Sequence, residues 1–197
     1  MVRNRGFTTH HSVHGFTLLE LLVVMAIMVG LMIVVIPQFN SFQRSQNLKN
    51  TALELQTNLR KAQNNAASGV KCNSTTSAAS WNIEFPNSTS YQLETVCSDL
   101  TVSPAPPSAY SLPSGISVDS ITLDSCSDIN LIEVEADPRV IFSNISGAVG
   151  FSVDPSVGCP VSETSTKQMI ITLMLDYDLS FVDVIIEKGG SIYVRSQ

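Results

Sequence analysis

Histidine is scarce in this 197-residue chain, and its three copies, His10, His11 and His14, all precede Gly15. If residues 1–15 are removed as a leader, the mature chain has no histidine base to pair with a nucleophile, which excludes the usual histidine-assisted routes of catalysis. Close C-x-x-C pairs are also absent, so neither a zinc site nor a thioredoxin-like redox site is indicated. We expect no enzymatic activity and no resident cofactor.

Clustered carboxylates are the only groups that suggest a metal ion, and the ion they would suit is calcium. None of the clusters has EF-hand-like spacing, so a solvated acidic face is the favoured interpretation and calcium binding the alternative. The clusters are Asp124 with Asp128, Glu133 with Glu135 and Asp137, and Asp176 with Asp178.

Positive charge is scarce in the second part of the chain. The formal net charge is −6 overall, and from Gly69 onward five Lys and Arg residues stand against fifteen Asp and Glu residues. Such a region repels the phosphates of nucleic acids on average. Nucleic acid is therefore not the expected partner.

The four cysteines all follow the hydrophobic part of the sequence, and they are Cys72, Cys97, Cys126 and Cys159. An even number of cysteines beyond an export segment predicts two disulfides formed in an oxidising compartment. Three connectivities are possible. We favour the sequential pairing, Cys72 with Cys97 and Cys126 with Cys159, because each bridge would connect neighbouring turns.

The sequence also lacks an A-x-A-like signal peptidase site after its one long apolar segment, so that segment should remain on the mature protein. The 21 positions from Phe16 to Ile36 would cover about 32 Å as a helix, which is enough to cross a bilayer core. Glu20 interrupts this run. A carboxylate within a membrane span costs on the order of 2.5–3.5 kcal/mol and so requires a functional explanation.

The stretch Gly15-Phe16-Thr17-Leu18-Leu19-Glu20 resembles the class III signal of type IV prepilins and type II secretion pseudopilins. The resemblance implies that residues 1–15 are a leader, that prepilin peptidase cuts between Gly15 and Phe16, and that Phe16 is N-methylated. It also implies that Glu20 pairs with the Phe16 amine of a neighbouring subunit. Pro37 matches a family proline that kinks or locally melts the helix.

Beyond Pro37, apolar residues recur at spacings of three and four, which predicts an amphipathic helix. They are Leu48, Ala52, Leu55, Leu59, Ala62 and Ala66. With Gly69 as its C-terminal stop, one helix should cover residues 16–68, with a transmembrane half at 16–36. The second half should pack on the rest of the protein, and a free coiled coil is the alternative.

Residues 69–197 show the β-branched alternation and turn-forming residues of a strand-rich head. The predicted strands are 81–85, 91–96, 116–123, 129–135, 139–143, 148–153, 167–175, 181–187 and 191–194. The proline-rich segment 103–115 is predicted to be a loop, and Gly189-Gly190 a hairpin turn. The expected fold class is α+β, a type IV pilin fold with a membrane-spanning helix packed on an antiparallel β-rich head.

The C-terminal pattern, with Val140-Ile141-Phe142, Gly147 and a Gly-Gly hairpin, is similar to the FimT/GspH group of minor pilins and pseudopilins. That group includes DNA-binding pilins with a Gly-Arg-x-Arg stretch. The matching residues here are Gly190-Ser191-Ile192-Tyr193, which leaves only Arg195 as a DNA-binding candidate. Nucleic acid contact is therefore not favoured.

The resemblance implies a minor pilin or pseudopilin that joins or primes a type IV pilus or a type II secretion pseudopilus. Its implied partners are other pilin or pseudopilin subunits, prepilin peptidase, the inner-membrane assembly platform and, before assembly, membrane lipid. The implied location is the bacterial inner membrane with a periplasmic head, and afterwards a periplasmic or extracellular filament. The alternative function is a DNA-binding competence pilin or a tip adhesin.

Overall fold

The computed structural model describes residues 16–72, 76–99, 101–126, 130, 132, 137–143, 148–153 and 166–196, without the side chains of residues 34–38 and 102–108. These residues form one helix and nine strands. They are α1 (Leu18–Ala67), β1 (Ala78–Asn87), β2 (Ser90–Cys97), β3 (Val102–Ser111), β4 (Ile116–Leu123), β5 (Arg139–Ser143), β6 (Val149–Ser152), β7 (Gln168–Leu175), β8 (Ser180–Glu187) and β9 (Ile192–Ser196).

The chain divides into two compact units, Met1–Phe42 and Gln43–Gln197. In the first unit, the described part is the N-terminal portion of α1, whose described apolar side chains are exposed. The second unit contains the rest of α1, both sheets and the hydrophobic core.

The expected fold class, with a membrane-spanning helix as its first half, is wrong. Within the described part of the chain, no helix combines the length and the apolar character that crossing a membrane requires. The described apolar run of α1 extends from Leu18 to Ile33, sixteen residues that rise about 24 Å, and Glu20 interrupts it. This length is less than the roughly 30 Å of a bilayer core. Most of the described secondary structure is antiparallel β-sheet.

The predicted apolar stripe of α1 is confirmed as a core-facing stripe, since all six of its residues are fully buried. They join residues of both sheets in a single hydrophobic cluster. A free coiled coil is therefore the wrong alternative for this half. Three of the six are alanines, which let a helix approach a sheet closely.

The end of α1 is a Schellman motif, and this confirms Gly69 as the predicted stop. The Gly69 N–H donates to the Ala66 carbonyl at 3.2 Å, and the Val70 N–H donates to the Asn65 carbonyl at 3.1 Å. Gly69 has a φ of 63°. Glycine is favoured there because it has no Cβ to clash in the left-handed region.

Two antiparallel sheets face the core. One has five strands in the order β3-β2-β1-β5-β6, and the other has four in the order β4-β7-β8-β9. Alternate residues of β2, β5, β6 and β7 are buried, as expected for strands with one face on the core. Eight of the nine predicted strands overlap observed ones, and β4 and β5 have the predicted bounds.

The prediction of a loop over residues 103–115 is wrong for most of its length, because Val102–Ser111 forms β3. This strand lies at an edge of the five-stranded sheet and, among the described strands, pairs only with β2. Prolines are tolerated at an edge because the N–H that they lack can face away from the neighbouring strand. In the strand predicted at 129–135, Asn130 and Ile132 are not in a strand, and the other residues lie outside the described ones.

One predicted disulfide is confirmed. Cys72 and Cys97 are bonded, with their Cα atoms 5.5 Å apart. Cys126 is also in a disulfide, and its predicted partner, Cys159, lies outside the described residues.

Candidate functional site

The N-terminus of α1 is built from two of the residues that carry the prepilin resemblance. The Glu20 N–H donates to the Thr17 hydroxyl at 3.2 Å. Thr17 is therefore the N-cap and Glu20 the third helical residue, the spacing of a capping box. A carboxylate in the first turn is also stabilised by the helix dipole. The T-x-x-E spacing was visible in the sequence, but sequence reasoning missed this local role of Glu20.

A continuous apolar surface follows this cap. Fourteen large apolar side chains between Phe16 and Ile33 are 48–84% exposed. They are Phe16, Leu18, Leu19, Leu21, Leu22, Val23, Val24, Met25, Ile27, Met28, Val29, Leu31, Met32 and Ile33. Exposed apolar surface of this extent is typical of an interaction site rather than of an ordinary solvated face.

The other residues of the predicted processing and assembly site are only partly described. Phe16 is the most exposed of the fourteen apolar residues, at 84%, whereas Gly15 lies outside the described residues. Helix α1 continues through Pro37 without a break. Local melting of the helix at Pro37 is therefore not observed.

The second half of α1 binds the C-terminal hairpin through side chains that donate to backbone carbonyls. Gln56 Nε2 and Arg60 Nη2 donate to the Ile192 carbonyl at 2.8 and 3.0 Å. Gln63 Nε2 donates to the Gly190 carbonyl at 3.0 Å. β9 is an edge strand, so the helix satisfies polar groups that an edge would otherwise leave without a strand partner.

Arg195, the DNA-binding candidate, is engaged within the head. Its Nη2 donates to Asp183 Oδ2 at 2.8 Å, and the Asp183 side chain is only 1% exposed. The Thr172 hydroxyl donates to Asp183 Oδ1 at 3.0 Å. The positive charge of Arg195 is therefore compensated by a buried carboxylate, which disfavours a role in phosphate binding.

The loop between β7 and β8, residues 176–179, presents two apolar side chains beside two carboxylates. Tyr177 and Leu179 are 73% and 65% exposed. The loop is held in place by the Asp176 N–H, which donates to the Gly115 carbonyl at 3.1 Å, and by the Ser117 hydroxyl, which donates to Asp176 Oδ1 at 3.1 Å. We name residues 176–179 the acidic loop.

On one side the acidic loop contacts α1. The Arg44 guanidinium lies 4.6 Å from the centre of the Tyr177 ring, a cation–π contact. Sequence reasoning noted the carboxylates of this loop as a calcium candidate but missed its exposed apolar pair, because exposure depends on how the hairpin packs.

A charged cluster on β1, β2 and β5 was also missed. Arg139 binds the buried Glu84 carboxylate, with its Nε 2.9 Å from Glu84 Oε1. Gln92 Nε2 donates to Glu84 Oε2 at 2.7 Å and to Glu94 Oε1 at 3.2 Å. Burial, and then the nearby Glu84 charge, raise the pKa of Glu94. The members come from three strands, so only strand pairing brings them together.

Tyr91 is a core residue with a raised pKa. Asn58 Nδ2 donates to its hydroxyl at 2.8 Å, and the Tyr110 ring stacks on its ring with centroids 5.0 Å apart. Burial raises the pKa of Tyr91 to about 12, and the Asn58 hydrogen bond only partly opposes this shift. This cluster anchors α1 to the five-stranded sheet.

The carboxylate clusters do not assemble a metal site in the part of the chain that the structure describes, where no group of three or more metal-ligating side chains occurs. The Asp124 carboxylate instead accepts the backbone N–H groups of Lys167 and Gln168. Three of the other clustered carboxylates lie outside the described residues, namely Asp128, Glu133 and Glu135. Asp137 is described, and it is a loop residue with a φ of 40°.

Comparison with known proteins adds no family to these observations. No protein-family model, curated protein or solved structure matches the chain.

Proposed function

We propose that this chain is a filament subunit, a minor pilin or pseudopilin that prepilin peptidase processes between Gly15 and Phe16. It acts by assembly with other pilin or pseudopilin subunits, through the inner-membrane assembly platform, into a type IV pilus or a type II secretion pseudopilus. The observation that carries the proposal is the exposed apolar surface between Phe16 and Ile33.

The energetic argument is that a single chain leaves this surface without a partner. Burial of a large apolar side chain stabilises by about 1.5–3 kcal/mol. Packing of the segment against the same segment of neighbouring subunits would bury many of its fourteen apolar side chains at once. Such a contact is strong enough to offset the entropy lost when subunits associate.

Glu20 gives this packing a preferred register. In an apolar filament core its carboxylate is costly to desolvate unless an opposite charge is near. Cleavage after Gly15 would create a positively charged amine on Phe16, four residues before Glu20. A Phe16 amine from one subunit beside Glu20 of the next would therefore favour one axial offset between subunits.

Mass spectrometry of the protein purified from cells with active prepilin peptidase tests the processing step. The expected N-terminal residue is N-methylated Phe16. Recovery of the intact chain from Met1, in cells that process another prepilin, would contradict the proposal.

Two matched variants test the assembly step and separate it from the local capping role. Glu20→Ala should reduce the amount of the chain in sheared filaments, because the charge partner of the neighbouring amine is lost. Thr17→Ala removes the capping hydroxyl, which costs about 1 kcal/mol of helix stability, but it should leave incorporation close to that of the parent. Equal incorporation of Glu20→Ala and the parent would show that Glu20 acts only within its own helix.

A further inference from the structure

The charges of the second unit are segregated between the exposed side of α1 and the head. The exposed side of α1 carries Lys49, Arg60 and Lys61 with one acidic residue, Glu54. From Gly69 onward, fifteen acidic residues stand against five basic ones. A basic surface and an acidic surface on one chain make two copies of that chain electrostatically complementary.

Three residues of α1 form a narrow surface stripe. At about 100° per residue, Lys49, Leu53 and Arg60 fall within roughly 40° of one another around the helix axis. Lys49 and Arg60 are exposed, and Leu53, which lies between them along the helix, is a large apolar residue that is 49% exposed. We name these three residues the basic stripe.

The acidic loop has the matching chemistry. Among the described residues of the second unit, its Tyr177 and Leu179 are the two most exposed large apolar side chains, and Asp176 and Asp178 flank Tyr177. Leu53 can therefore pack on the apolar pair while Lys49 faces the carboxylates. Arg60 adds positive charge beside them, with guanidinium N–H groups other than the one that binds the Ile192 carbonyl. Each element of one surface has a counterpart on the other.

A loop cannot fill the basic stripe of its own chain. The acidic loop lies on the Arg44 side of α1, where Arg44 covers the Tyr177 ring. Arg44 and Lys49 are about 140° apart around the helix axis. The stripe thus points away from the loop, and the contact requires a second copy.

We propose that the acidic loop of one copy docks on the basic stripe of a second copy. This proposal rests on the proposed function, because it names a head contact that would accompany packing of the apolar helices. The two surfaces are different, so the contact is heterologous and can repeat from subunit to subunit along a filament.

Cysteine cross-linking of the full chain in mild detergent tests the contact. One chain carries Leu53→Cys and a differently tagged chain carries Leu179→Cys, and the described cysteines leave no free thiol to compete. Oxidation should give a heterodimer bearing both tags. Asp119→Cys, at an exposed position of β4, replaces Leu179→Cys in the control. An equal yield with this control would overturn the proposal.

A charge exchange tests the electrostatic part. Asp178→Lys on the Leu179→Cys chain should lower the yield by about fivefold, the upper range for loss of an exposed ion pair. Lys49→Glu on the Leu53→Cys chain should restore it. Asp119→Lys makes the same charge change on β4 rather than in the acidic loop, and it should have no effect. If Asp178→Lys does not lower the heterodimer yield and Lys49→Glu does not raise it again, the proposed charge contact is contradicted.

The basic stripe also resembles a polyanion site, so a duplex DNA probe is included as a competing outcome. Retardation of the duplex at low salt that Lys49→Glu abolishes, without any heterodimer, would assign the stripe to nucleic acid and overturn the proposal. Failure of the proposed function is distinguishable: an unprocessed Met1 terminus would contradict it whatever the cross-linking yield. If filaments contain the methylated Phe16 terminus but cross-linking gives no heterodimer, only the docking contact is contradicted.

Discussion

The guanidinium of Arg195 lies 2.8 Å from the carboxylate of Asp183, at the C-terminal end of the chain. The pair joins β9 to β8, and Thr172 on β7 donates to the same carboxylate. Arg195 was the one DNA-binding candidate left near the position of the Gly-Arg-x-Arg stretch, and in the structure it stabilises the sheet. Removal of the Arg195 side chain should therefore change the stability of the fold rather than the binding of a ligand.

Arg195→Ala should lower the free energy of unfolding by about 1–3 kcal/mol, because a buried carboxylate then loses a charged hydrogen-bond partner. The lower part of this range is expected, since the Arg195 side chain is 57% exposed and water can replace part of the contact. Urea denaturation measures the change. Arg195→Lys, which keeps the charge, should cost less. If Arg195→Ala has the same free energy of unfolding as the parent, then Thr172 and water satisfy the Asp183 carboxylate without Arg195.

Gly190→Ala should destabilise the protein by about 1–2 kcal/mol, because an alanine there would adopt a left-handed conformation. Gly190 has a φ of 90°, and an added Cβ would lie 2.8 Å from Gln63 Nε2, which binds the Gly190 carbonyl. Gly189→Ala is the matched control, since an added Cβ at Gly189 meets nothing within 4 Å. Thermal unfolding compares the two variants. Equal melting temperatures would contradict the close approach of α1 to the hairpin.

Replacement of Cys72 and Cys97 by serine together should cost about 3 kcal/mol, because the unfolded chain would gain the freedom of a loop of 25 residues. The double variant is preferred to a reductant, which would also act on the disulfide of Cys126. Urea denaturation at neutral pH measures the effect. A change well below 1 kcal/mol would mean that the unfolded chain is already restrained near these residues.

Stability should fall between pH 10 and pH 12 because of Tyr91. Its pKa is about 12 in the folded protein and about 10 in the unfolded one, so the unfolded state loses the proton first. The stability that this tyrosine contributes is complete below pH 10 and is lost as the pH rises through 12, by roughly 2–3 kcal/mol.

Urea denaturation of Tyr91→Phe across this pH range checks the Tyr91 prediction. The variant should be less stable than the parent at neutral pH, where it lacks the Asn58 hydrogen bond. The loss of stability between pH 10 and pH 12 should be smaller in Tyr91→Phe than in the parent. Parallel declines in the two proteins would assign the alkaline transition to other groups, among them Tyr110, whose pKa burial also raises.

Local patterns predicted most of the secondary structure. The three-and-four spacing of Leu48 to Ala66 identified the buried face of α1, and alternation identified β4 and β5 with their observed bounds. Residues 102–111 could not be predicted in the same way. Proline disfavours a strand locally, and only pairing with β2 at a sheet edge makes this segment one.

The features of the candidate site also separate into those set by local sequence and those set by tertiary contacts. The sequence by itself determined the Gly15-Phe16 motif, the T-x-x-E spacing at Glu20 and the apolar run behind it, because each depends on neighbours within a few residues. Only the tertiary structure decided that Arg195 pairs with Asp183, that Tyr177 and Leu179 are exposed, and that Arg44 covers the Tyr177 ring. These relationships join residues from separate strands and from α1, and such contacts are set by strand register and core packing rather than by local pattern.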